Sequence, residues 1–168
     1  ESGNDNHGAV TAATLTADSS GAVNKAYDFS GSGQYISIAE NSKFEEGSHT
    51  LSMWVRPDTT DDVLLAKDGY SANRQWLLGT LSGRVTSTVW TSGGMKMITS
   101  AGTITTGNWY HLVQVWDGSR LKLYIDGVLD SDIAAVGTLV AGDQPVQIGG
   151  GPVFPAADWY DGKTDGVR

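Results

Sequence analysis

The sequence predicts an all-β fold, a two-sheet antiparallel sandwich, and three observations carry that prediction. No stretch of about 11 or more residues keeps apolar positions at i, i+3, i+4 and i+7 without Gly, Ser or Thr interrupting it, so amphipathic helices are excluded. Short segments alternate apolar and polar residues instead, the period of a strand with one buried face. Turn signals recur roughly every 8 to 12 residues and separate about ten to twelve such segments, the spacing of a sandwich.

The elements follow in order. In Leu51 to Arg56, one face carries Leu51, Met53 and Val55 and the other Ser52, Trp54 and Arg56, and Pro57 closes the strand. Leu77 to Leu81, Arg84 to Thr91 and Met95 to Thr99 read as strands joined by Ser82-Gly83 and Ser92-Gly93-Gly94, loop lengths that favour antiparallel hairpins. Trp109 to Trp116 turns through Asp117-Gly118-Ser119 into Arg120 to Ile125. Asp126-Gly127 then offers a two-residue turn into Val128 to Asp130, which makes a three-stranded meander.

Composition bounds the function. The chain has 168 residues with 11 basic and 19 acidic side chains, a net charge of −8, and reads as a single domain over 1–168. Its Lys and Arg residues are dispersed, so no basic stripe exists to displace counterions from nucleic acid. No apolar run of about 18 residues suggests membrane insertion, and the polar start Glu1 to Gly8 does not read as a signal peptide. The absence of cysteine excludes disulfides, thiol catalysis and thiolate metal sites. Fifteen of the 19 acids are Asp, which suits turns and hard-cation loops and leads to the expectation of an extracellular or cell-surface bacterial protein.

Several segments stand in a recognisable order: Lys25 to Gly31, Tyr35 to Ile38, His49 to Pro57, Asn108 to Val113 leading to Trp116-Asp117-Gly118, Leu121 to Gly127, Gln147-Ile148-Gly149 and Asp161 to Arg168. Together they resemble bacterial laminin G-like domains of the concanavalin A-like lectin/glucanase superfamily. The resemblance implies a jelly-roll sandwich. It also implies a departure at each end: Glu1 to Gly8 resembles the loop after a first strand and Val167-Arg168 falls inside a last one, so the first and last strands are expected to be trimmed.

Members that resemble this chain hold a structural calcium between the loop after the first strand and the closing Asp. That implies Ca2+ at Asp165 and Asp5, with Asn6 and Gly8 contributing oxygens, since calcium takes six to eight of them. His7, His49 and His111 lack the spacing of a zinc site, and His111 reads as a packed strand residue. The paired carboxylates of a glycosidase are missing: Glu1, Glu40, Glu45 and Glu46 sit in polar turns, and Asp130 with Asp132 is the best remaining pair, more simply read as solvated. Catalytic residues are therefore not expected.

A sugar presents C–H faces to aromatic rings and hydroxyls to polar side chains. Of the six Trp and six Tyr, those outside the recognised strand positions are Tyr70, Trp76, Trp90, Trp159 and Tyr160, with Arg74 beside Trp76. These are the expected ligand contacts, each weighed against the simpler role of capping the core. The function expected is a non-catalytic, lectin-like carbohydrate-binding module of a larger secreted or surface protein. A protein-interaction, adhesion or spacer domain, packed against other domains of the parent chain, is the alternative, and a glycoside hydrolase is less favoured.

Overall fold

The structure, a computed structural model, describes residues 6–45 and 47–168. In chain order its strands are β1 (Gly8–Thr11), β2 (Thr14–Thr16), β3 (Ala26–Ser30), β4 (Tyr35–Ile38), β5 (His49–Pro57), β6 (Val63–Gly69) and β7 (Ala72–Leu81). They continue with β8 (Arg84–Thr91), β9 (Gly94–Thr99), β10 (Tyr110–Trp116), β11 (Arg120–Ile125), β12 (Val128–Ala134), β13 (Val146–Ile148) and β14 (Asp161–Asp165). Two single turns of 3-10 helix, Ser42–Glu45 and Ala156–Asp158, are the helical content among the described residues.

The strands form two seven-stranded antiparallel sheets. The first runs β1, β4, β13, β6, β7, β8, β9 and the second β12, β11, β10, β5, β14, β3, β2. The predicted all-β sandwich is the observed architecture. The predicted hairpin turns recur as expected: Ser82-Gly83 and Asp126-Gly127 both take positive φ at each position, the two-residue turn whose twist matches its flanking strands.

Alternation along the strands decides what enters the core. Met53 and Val55 are fully buried, as are Leu112, Gln114 and Trp116 at every second position of β10 and Leu121 and Leu123 of β11. From the first sheet Leu78, Val85 and Val89 meet them. Each large apolar side chain buried this way contributes roughly 1.5–3 kcal/mol. The intervening residues face outward: on the outside of the second sheet Trp54 stacks on His111 with centroids 5.0 Å apart, so His111 packs outside the core.

One polar link crosses the sandwich. The Ser87 hydroxyl of β8 donates to Gln114 Oε1 at 2.8 Å, and Gln114 Nε2 lies 3.2 Å from His49 Nε2. The His49 ring packs near Trp76 and Trp116, at 6.0 and 5.7 Å, and burial holds its pKa down at about 4.

The two ends of the chain add structure that the sequence did not suggest. Gly8, expected in a loop, begins β1 and pairs with Ile38, and β2 pairs with β3, so the chain passes from one sheet to the other between them. β14 lies between β5 and β3, and beyond it Arg168 exchanges two backbone hydrogen bonds with Ser52, each 2.9 Å.

Candidate functional site

The outer face of the first sheet carries a groove. Opposite residues in an antiparallel pair point to the same face, so the register Leu77 with Thr88, Gly79 with Thr86 and Trp90 with Met95 places all six on the side away from the core. They line a groove of about 290 Å3 together with Arg74, Met97, Asp61, Asp62 and Asp158. Met95 and Met97 are exposed, Trp90 is half-buried, and Thr86 and Thr88 form a floor with only 6% and 4% of their surface accessible.

Arg74 sets one end of this groove. Its guanidinium carbon sits 4.1 Å above the Trp90 ring centre, a cation–π contact. Asp68, nearly fully buried, fixes it by accepting hydrogen bonds from Arg74 Nε and Nη2, both at 2.8 Å. The same carboxylate accepts the Tyr70 N–H at 2.7 Å, which holds the turn where Tyr70 has a φ of 63°. Tyr70 is exposed and packs edge-on to Phe154 at 6.1 Å.

The segment after β13 folds back over the same sheet. Phe154 packs with Val63 and Ala66 into a second small cluster, flanked by Leu77 and Trp159. The Trp159 Nε1–H donates to the Phe154 carbonyl at 3.1 Å, and its ring meets Tyr35 edge-on. Trp159 lines a second, larger opening of about 580 Å3 with Asp58, Thr59, Asp61, Asp62 and Asp161. Asp61 and Asp62 thus border both grooves. Burial raises the Asp62 pKa to about 6; the Thr59 hydroxyl bonds oppose this and the nearby Asp161 adds to it.

Of the residues expected to touch a ligand, Arg74 and Trp90 are brought together, with Asp68 tying Tyr70 to them; Trp159 lies across the Asp61–Asp62 ridge. Trp76 and Tyr160 are corrections. Trp76 is 3% exposed with its ring in the core, and Tyr160 is fully buried with its hydroxyl donating to the Lys163 carbonyl, so neither lines the groove at Trp90 or the opening at Trp159. Sequence reading missed Thr86, Thr88, Met95, Met97 and Asp61. The alternation along β8 and β9 was the only signal, and it does not distinguish a groove floor from a solvated face.

The expected calcium ligands are described only in part. Asp5 lies outside the described residues. Asn6 accepts a hydrogen bond from Asn41 at 3.4 Å, Gly8 is in β1, and Asp165 ends β14 opposite Trp54. Among the described residues no group of three or more His, Asp or Glu is placed to share an ion, so of the four predicted positions Asp165 alone supplies a described carboxylate toward the six to eight oxygens calcium takes. The Asp130 and Asp132 carboxylates are committed elsewhere: Asp130 accepts the Ala101 N–H at 2.9 Å, and Asp132 pairs with Arg120 at 2.7 Å. No helix among the described residues is long and apolar enough to cross a membrane.

A family model of the laminin G type, described as the concanavalin A-like lectin/glucanases superfamily, matches residues 30–168. The chain belongs to this family. Among solved structures, this laminin G-like domain is similar to the binding domain of Paraclostridial Mosquitocidal Protein 1, with a TM-score of 0.75 and 14% identity over 97% of this chain and 43% of that one. It is similar to domains LG4-5 of the mouse laminin α1 chain, with a TM-score of 0.69 and 18% identity over 88% of this chain and 41% of that one. It also resembles domain 4 of AbnA, an extracellular arabinanase from Geobacillus stearothermophilus solved with arabinotriose, with a TM-score of 0.63 and 20% identity over 98% of this chain and 76% of that one. The laminin G-like domain spans less than half the length of the first two. No curated protein matches it by sequence. At these identities the likeness establishes the fold.

Proposed function

We propose that this laminin G-like domain is a non-catalytic, lectin-like carbohydrate-binding module of a larger secreted or cell-surface bacterial protein. The observation that carries the reading is the open groove in which the half-buried Trp90 ring, Met95 and Met97 stand beside the Thr86 and Thr88 hydroxyls, Arg74 and Asp61. Apolar surface with a few convergent polar groups suits a sugar, whose C–H faces pack on an indole while its hydroxyls reach the polar side chains. The arabinotriose bound by the arabinanase domain supports sugar binding on this fold. Asp165, together with Asp5, anchors a structural calcium in this proposal. Binding of the domain to a polysaccharide panel, repeated with Trp90→Ala and Trp159→Ala, tests the site: loss with Trp90→Ala alone supports the groove at Arg74, and loss with Trp159→Ala alone moves the site to the second opening.

A second reading, a protein-receptor or adhesion surface without sugar binding, is favoured by the receptor-binding domain of botulinum neurotoxin C/D mosaic serotype, which matches with a TM-score of 0.69 at 14% identity over 96% of this chain and 42% of that one. A folded sample that binds no glycan selects it.

A further inference from the structure

The Trp90 groove carries two features that go beyond a general affinity for sugar. The first is its floor. Thr86 and Thr88 lie two residues apart on β8, hence about 6.8 Å along the strand and on one face with Trp90. Both are more than nine-tenths buried, both line the groove, and among the described residues neither hydroxyl forms a hydrogen bond. Both hydroxyls keep contact with water at the groove surface, and a ligand hydroxyl can take the place of that water. Valine would fill the same space on a strand without that hydroxyl.

The second feature is the charge of the walls. Among the described residues Arg74 is the only cation lining the groove, and Asp68 already satisfies it through a two-pronged ion pair. Asp61 is exposed at the rim, Asp158 is half-exposed, and Asp62 lies beneath them. A ligand carboxylate or sulfate laid here would lose water beside like charges with no free cation to receive it. The net charge of −8 opposes its approach as well.

We infer that the groove takes an uncharged polysaccharide chain laid along β8, with Trp90 as its stacking platform and the Thr86 and Thr88 hydroxyls as its hydrogen-bonding contacts, and that it excludes anionic polysaccharides. The inference rests on the carbohydrate-binding reading above and specifies its ligand class.

Two comparisons test it. Titration calorimetry of the intact domain against soluble uncharged polymers, arabinan and xyloglucan, and against polygalacturonate should show binding to an uncharged polymer and polygalacturonate at least about tenfold weaker. Neutralising the wall in Asp61→Asn/Asp158→Asn should narrow that ratio by about threefold per charge removed, about tenfold for the pair. Thr86→Val/Thr88→Val should weaken the uncharged polymer by about tenfold or more at an unchanged or higher melting temperature. Equal binding of polygalacturonate and the uncharged polymers, or undiminished binding by the double valine variant, overturns this inference while leaving the carbohydrate-binding reading standing. Binding to no polymer by a folded sample overturns both.

Discussion

His49 and Asp62 titrate in opposite senses, and replacing Asp62 should expose what their opposition conceals. Burial lowers the His49 pKa from 6.5 to about 4 and raises that of Asp62 from 3.8 to about 6. Between about pH 4 and 6 the native state therefore holds a proton on Asp62 and none on His49, and the unfolded chain does the reverse. Their contributions to the pH slope cancel there. The Asp62 contribution is fully present below its unfolded pKa and is lost as pH rises through about 6; the His49 contribution is present above 6.5 and is lost as pH falls through about 4. In Asp62→Asn the His49 loss stands alone, so relative to wild type the variant should lose roughly 3 kcal/mol between about pH 7 and pH 4. His49→Gln should behave in the opposite way, gaining by a similar amount relative to wild type over the same interval. Asparagine preserves the shape and can still accept the Thr59 hydroxyl bond, so the fold should survive. Urea unfolding followed by tryptophan fluorescence at several pH values gives these differences directly. Parallel wild-type and Asp62→Asn profiles across that range would show that Asp62 holds no proton in the native state and would refute the reasoning.

Three further outcomes follow from the geometry. Millimolar calcium should raise the melting temperature over that in chelator, and Asp165→Ala should abolish the rise, because a ion that binds only the native state stabilises it by mass action; no rise in the parent domain removes the proposed calcium. Asp68→Ala leaves Arg74 without its partner and the Tyr70 N–H without an acceptor, so it should cost roughly 1–3 kcal/mol and release Arg74 from Trp90, read by urea unfolding and a change in Trp90 emission. Gly162→Ala should fail to fold or lose most of its stability, since φ is +143° there and a Cβ would stand 2.4 Å from the Arg56 carbonyl oxygen and 2.7 Å from the Tyr160 hydroxyl.

Much of the fold was legible because period two is a direct consequence of one buried face. β8 matches its predicted bounds, Arg84 to Thr91, and the turns at Ser82-Gly83 and Asp126-Gly127 carry the residues that positive φ favours. β6 escaped because it does not alternate: Leu65 faces the core while Val63 and Ala66 lie under Phe154, so Val63 to Asp68 are buried on both faces. The site was legible only in part. Arg74 and Trp90 were named but their contact was not, since it depends on β7 lying beside β8 and on Asp68 reaching across from β6. Trp76 and Tyr160 look like spare aromatics in the sequence, and only the packing of His49 against Trp76 and of Phe29 against Tyr160 shows that the core uses them. Thr86 and Thr88 carried no signal of their own, because a polar residue on an outward position is ordinarily solvated; the groove walls from β7, β9 and the 154–159 segment turn them into a floor.

The central claim is that the Trp90 groove binds carbohydrate, and the most direct test is a titration of the folded domain and its Trp90→Ala variant against the best-binding polysaccharide of a panel, with equal melting temperatures confirming that both are folded. Saturable binding by the parent domain, weakened at least about tenfold in Trp90→Ala, is the result the account predicts. Equal affinity in the two proteins would contradict it.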